Sequence, residues 1–153
     1  MKKIFIIIII LFFTIFNGKI QSTGTFQQSG SLVIIVSKNN PVNQLTVQEV
    51  KNYYLRKSKS RWPQNNSLIF PIDYKENTAL RKKFLKDVLH MTGEEFSTYF
   101  YQQKISNGDR PPIEVNDITQ VISGIEKFEG GIGYAFRSEI TDINKVKIVC
   151  EIF

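Results

Sequence analysis

The sequence predicts an α/β domain with a mixed sheet covered by helices, and three observations carry that prediction. Residues 31–36, SLVIIV, form a continuous, largely β-branched run of the kind found in strands buried on both faces. Four amphipathic stretches with helical spacing follow, three of them opened by capping signals. Two strand-like runs close the chain after residue 130, giving the order β-α-β-α-α-α-β-β with no internal repeat.

A different kind of segment precedes this domain. MKK makes a basic start, and residues 4–16, IFIIIIILFFTIF, are apolar apart from Thr14. The run falls short of the roughly 20 residues a spanning helix needs, but it suits the h-region of a secretory signal. The expected organisation is a signal peptide at 1–22, a flexible small-polar lead at 23–30, and a single domain at 31–153. Cleavage after Ser22 and cleavage after Gly24 both fit, and an uncleaved N-terminal anchor is the alternative to export. The expected location is periplasmic or secreted, with no transmembrane domain after cleavage.

Lys and Arg number 20 against 14 Asp and Glu, a formal charge of +6 that falls to +3 (17 − 14) once Lys2, Lys3 and Lys19 leave with the signal. A mildly basic exported surface gives no reason to expect nucleic acid as a partner. The remaining length, about 130 residues, supports one core and not two. Cys150 is the only cysteine, so an intrachain disulfide, a cysteine metal cluster and a lipid-anchoring cysteine near the signal are all excluded. It reads as a small buried hydrophobe or as one half of an intermolecular disulfide.

The elements follow in order. After the first strand, Thr46 and Glu49 form a T-x-x-E capping box with Leu45 and Val50 at the staple positions, opening a helix over about 47–55. The basic linker 56–61, RKSKSR, reads as a solvated loop or as a surface for an acidic partner, and Trp62 beyond it as a packing anchor. Residues 68–72, LIFPI, supply a second strand, which Pro71 confines to an edge or an end. A helix then buries Leu80, Phe84 and Val88 at i, i+4 and i+8, widened by Leu85 and Leu89, with Arg81, Lys82, Lys83 and Lys86 mainly off the stripe. The third helix starts at Thr92, boxed by Glu95 and stapled by Met91 and Phe96, and runs through Tyr99 and Phe100. The fourth begins at Asp117, boxed by Gln120, and buries Ile118, Val121, Ile122 and Ile125. Between them 108–112, GDRPP, reads as a rigid loop. Residues 130–134, GGIGY, mark a tight turn into a short strand, and 147–153 form the last one.

The residue types do not assemble an enzyme. His90 stands alone at a helix end, with no second histidine or nearby cysteine at ligand spacing. The chain has neither Ser-x-x-Lys nor G-x-S-x-G. Glu94 and Glu95 are explained by capping, leaving Asp73 and Glu76 as the other carboxylate pair. Gly130, Gly131 and Gly133 enter a strand and do not open a helix, as a nucleotide loop would. The expectation is no catalysis, no metal and no cofactor.

One helix start differs from the rest. Where the others place Glu49, Glu95 or Gln120 three residues after the cap, DYKENTALRKKF at 73–84 places Leu80 or Arg81. Its first amides are left freer, and Lys75, Arg81 and Lys82 flank them, which is a recipe for an anion site. The alternative is that Asn77 alone caps the helix and Glu76 or Asp73 compensates the charge.

Taken in sequence, SLVIIVSKNNPVNQLT, VQEVKNYYLRKSKSRWP, IFPID, ENTALRKKF, NGDRPPIEV and GGIGYAF resemble the phosphate-binding proteins of phosphate ABC transporters. They are more similar still to a group of short, single-lobe relatives, over about 32–136. The resemblance implies one lobe of a type 2 periplasmic binding protein, whose phosphate loop is an Arg followed by Ser-Gly-Thr at a helix start. Thr78 stands at the serine and keeps the hydroxyl, Ala79 stands at the glycine, and Leu80 replaces the threonine. Tyr74 holds the position of the arginine, leaving Lys75 or Arg81 to replace its charge. A full binding protein is about twice this length, and the lobe with the other phosphate loops has no counterpart here.

The implied function is an exported phosphate-binding-protein-like domain with weak or vestigial oxyanion (phosphate) binding at Lys75, Asn77, Thr78, Ala79 and Arg81. The alternative is a protein-interaction or self-associating accessory module of the cell envelope, whose partner is an envelope protein or a second copy, without small-ligand binding.

Overall fold

The computed structural model describes residues 30–57, 61–75 and 78–153. The segment read as a signal peptide, the flexible lead apart from Gly30, and Asn77 of the expected anion loop lie outside the described residues. Among the described residues no helix is long and apolar enough to cross a membrane.

The β-branched run becomes β1 (Leu32–Ser37), with Leu32, Val33, Ile34, Ile35 and Val36 fully buried, as a strand covered on both faces requires. It pairs antiparallel with β4 (Gly131–Phe136) on one side and β5 (Val146–Ile152) on the other. β2 (Phe70–Tyr74) runs parallel to β4 and to the three-residue β3 (Ile113–Val115). The order β3-β2-β4-β1-β5 is the expected mixed sheet. On the β5 edge the register slips between Ile34 and Ile35, and Leu45 N donates to Val149 O at 2.7 Å. The loop ahead of the first helix thus covers the sheet edge where it bulges.

Helices cover both faces: α1 (Val47–Tyr54), α2 (Ala79–Phe84), α3 (Gly93–Asn107) and α4 (Ile118–Lys127). Side chains alternate along a strand, so neighbouring residues identify the faces. A Cβ added at Gly133 would meet Val121 and Ile125 of α4, while the next residue, Tyr134, stacks on Phe84 of α2 at 4.0 Å. Tyr54 of α1 also packs on Phe84 and Tyr134. α4 therefore lies on one face of the sheet, and α1 and α2 lie on the other.

Two capping boxes form as expected. Glu49 N donates to Thr46 Oγ1 at 3.2 Å and Thr46 N to Glu49 Oε2 at 2.8 Å; the Thr92–Glu95 pair repeats this at 3.2 and 2.7 Å. The fourth helix departs from expectation. Asp117 accepts from Gln120 N at 2.9 Å, but Gln120 Oε1 accepts from Asn116 N at 2.9 Å, one residue ahead of the cap.

Other features differ from, or add to, the sequence reading. The second strand runs from Phe70 and not Leu68, which makes only an isolated bridge to Arg61. It is an interior strand with Pro71 at its second residue, so of the edge and the end that Pro71 allowed, the end holds. Phe70 N donates toward β4, to Gly130 O at 3.0 Å, so the Pro71 position faces the opposite flank, where β3 pairs only from Ile72 onward. No ladder bond is lost. The segment after GDRPP forms β3, because a parallel neighbour at the end of β2 satisfies its backbone. The apolar stripe Leu80, Phe84, Leu85, Val88 and Leu89 is buried as read, but α2 passes at Leu85–Leu89 into a π-helical turn.

Candidate oxyanion turn and the buried network behind it

The parallel strands β2, β3 and β4 end on one side of the sheet, the place where ligands of open α/β sheets sit. β2 stops at Tyr74, and Lys75 N donates to Val115 O at the end of β3, 2.9 Å away. Lys75 is exposed, Thr78 is half-buried and Ala79 is exposed. Thr78 is the N-cap of α2: its hydroxyl oxygen accepts from Arg81 N at 3.1 Å and keeps its own hydrogen to donate. Arg81, not Leu80, therefore occupies the third helical position, where the boxed helices carry a side chain that reaches back.

Arg81 is not off the stripe. It is 4% exposed, with Nε donating to Asp73 Oδ2 at 2.9 Å and Cζ 5.4 Å from the centre of the Phe96 ring of α3. Asp73, 2% exposed, also accepts the Tyr134 hydroxyl and Tyr74 N on its other oxygen. One carboxylate thus collects donors from β2, α2 and β4, which is how a charge survives inside a core. Asp73 supplies the charge compensation that the helix start needs. A sequence signal existed: an aspartate set among the apolar residues of FPIDY, one residue out of phase with Ile72, marks a strand position facing a cation.

Tyr74, at the position of the loop arginine in the resemblance, points inward as well. It is buried, and its hydroxyl donates to Tyr134 O at 3.2 Å. Burial pushes the Tyr54 and Tyr134 hydroxyls well above the ordinary tyrosine range, with the Asp73 charge adding to both. Tyr74 is raised first by burial, then by Glu139, Asp117 and Asp73. Two acidic groups, Glu139 beyond β4 and the α4 cap Asp117, therefore lie close enough to Tyr74 to be felt there.

Leu80 is buried, so the turn presents Lys75, the Thr78 hydroxyl and the exposed Ala79 to solvent. These are donors suited to an oxyanion. His90 is exposed, with Nδ1 3.0 Å from Lys86 O at the end of the π turn. Among the described residues no group of three or more His, Cys, Asp and Glu side chains converges on a common point.

No protein-family model and no curated protein matches the chain. Solved structures do. A protein described as a phosphate ABC transporter substrate-binding protein, with bound phosphate, from Clostridium perfringens is similar at 23% identity and a TM-score of 0.62, over 78% of this chain and 44% of that one. An ABC-type phosphate transport receptor from Vibrio cholerae is similar at 18% identity and 0.61, over 78% of this chain and 45% of that one. For PstS from Borrelia burgdorferi the values are 16% and 0.60, over 78% and 46%. The chain spans less than half the length of these proteins. The likeness establishes the fold, that of a periplasmic-binding-protein lobe.

Proposed function

We propose that this chain is a phosphate-binding-protein-like domain that acts outside the cytoplasm, without catalysis, and makes weak oxyanion contact at the turn from β2 to α2. The direct contacts are the Lys75 ammonium, the Thr78 hydroxyl and the Ala79 amide, and Asn77, which precedes Thr78 in sequence, is proposed with them. Arg81 acts indirectly by holding the turn on Asp73. The observation that carries the reading is the withdrawal of the strongest donors. The Arg81 guanidinium sits on Asp73 and the Tyr74 hydroxyl on Tyr134 O, while Asp117 and Glu139 stand near Tyr74. A site of this composition holds phosphate at a Kd of about 1 mM or weaker, near −4 kcal/mol. Calorimetric titration with phosphate and sulfate should give that range and lose the heat in the double variant Lys75→Ala with Thr78→Ala. Equal heats from wild type and the double variant would remove the turn as the site.

A second reading is favoured by one observation on α3. Tyr101 and Ile105, one helical turn apart, are 68% and 69% exposed. An outward apolar pair on a domain of less than half its structural neighbours' length fits a surface that meets another protein or a second copy. Sedimentation distinguishes the readings: a strict monomer at high concentration with no co-purifying protein leaves only the first.

A further inference from the structure

A cleft of about 890 Å³ lies between the α2 helix with its π turn and the first turns of α3. Arg81 forms part of its lining, and the geometry there is distinct from that of the oxyanion turn. The guanidinium has five N–H donors, and Nε uses one of them on Asp73. A Cβ added at Gly93, the first residue of α3, would lie 3.8 Å from Nη1, so Nη1 lies beside the α3 wall of the cleft. Among the described residues Asp73 is the sole hydrogen-bond partner of this side chain, which is 5% exposed. Buried donors in native proteins are met by protein, water or ligand, and here the space that meets them is the cleft. Phe96 lies against the guanidinium, its ring centre 5.4 Å from Cζ.

The other walls narrow the chemistry. Leu85 and Met91 are apolar, and Lys82 and Lys86 stand with Arg81 against Glu94 and Glu95. The lining thus carries one net positive charge, with Glu95 already committed to Thr92 N. An edge of two parallel N–H groups matches a planar carboxylate, one net charge matches a monoanion, and the volume is that of a pocket for a small organic molecule rather than a bare ion. We propose that this cleft binds a small carboxylic acid with an apolar body, its carboxylate on the Nη edge of Arg81 and its body against Leu85 and Met91. The proposal is independent of the phosphate reading.

Phenylacetate is the probe, titrated into the full chain and followed by calorimetry or by amide shifts, with acetate and inorganic phosphate as comparisons. Gly93 has no positive φ and only an ordinary contact distance around an added Cβ, so Gly93→Leu takes up cleft space beside Arg81 without backbone strain. Phenylacetate should saturate the wild type, bind about tenfold more tightly than acetate, and lose about tenfold or more in Gly93→Leu. Lys86→Glu should weaken it about threefold or more through charge. Absence of saturation, or affinity untouched by both Gly93→Leu and Lys86→Glu, would overturn the proposal. Loss of phosphate heat in the Lys75→Ala, Thr78→Ala variant reports on the turn alone, so the two readings fail separately.

Discussion

Replacing Arg81 by leucine is expected to lower the unfolding free energy by about 3–5 kcal/mol, because it leaves the Asp73 carboxylate buried without its cation. Asp73 would keep the Tyr134 hydroxyl and Tyr74 N as donors, on one oxygen only. Asp73→Asn removes the charge from the other side and strands the Arg81 guanidinium under Phe96, so a loss of similar size is expected. The two changes share one contact, so their combination should cost less than the sum, by about 0.5–3 kcal/mol of coupling. Urea unfolding of the four proteins of the cycle measures this directly. Single-variant losses under about 1 kcal/mol, the range of exposed ion pairs, would show that the Asp73–Arg81 pair is not buried in solution.

Trp62→Ala is expected to cost about 3–5 kcal/mol, the range for emptying a large aromatic site in a core. Trp62 is 1% exposed, packs edge-on against Tyr53 at 5.1 Å, and donates Nε1–H to Gly130 O at 3.3 Å. Its backbone closes a short loop, with Trp62 N on Ser67 O and Asn66 N on Trp62 O, each at 2.9 Å. The indole therefore fastens that loop to the turn entering β4. Gly130 is required there because a Cβ would lie 1.7 Å from Leu68 O. Trp62→Phe keeps most of the buried area and loses the Nε1 bond, so a cost of about 1–2 kcal/mol is expected, including the Gly130 oxygen's lost partner. Circular dichroism is the readout, since Trp62 is the only tryptophan. A Trp62→Ala variant as stable as Trp62→Phe would mean that the ring fills no core space.

Much of this architecture was legible because local rules and burial agreed. The β-branched run predicted β1, and both faces are covered. Thr46 with Glu49 and Thr92 with Glu95 marked two helix starts that close their boxes as read. Leu80, Phe84 and Val88 marked the inward face of α2. Where the reading fell short, the missing information lay in a partner distant in sequence or in a local choice between amides that spacing does not fix. Pro71 left an edge or an end open, and β3, which pairs only from Ile72 onward, decides for a place near the end of an interior strand. Gln120 matched the spacing of a capping box, yet its carbonyl oxygen took the nearer amide of Asn116.

The sequence by itself determined the fold class, the positions of most elements and the apolar stripes, since each follows from side-chain period and from capping groups within a few residues of one another. It also placed hydroxyl, amide and lysine donors at the turn after β2. Only the tertiary structure decided that Arg81 belongs to the core. Position 81 borders the apolar stripe, and whether a guanidinium there points out or in depends on an acid eight residues earlier, on a strand facing the helix. Burying that charge is favourable only once Asp73, Tyr134 and Phe96 are assembled around it, and no periodicity in the chain encodes that assembly.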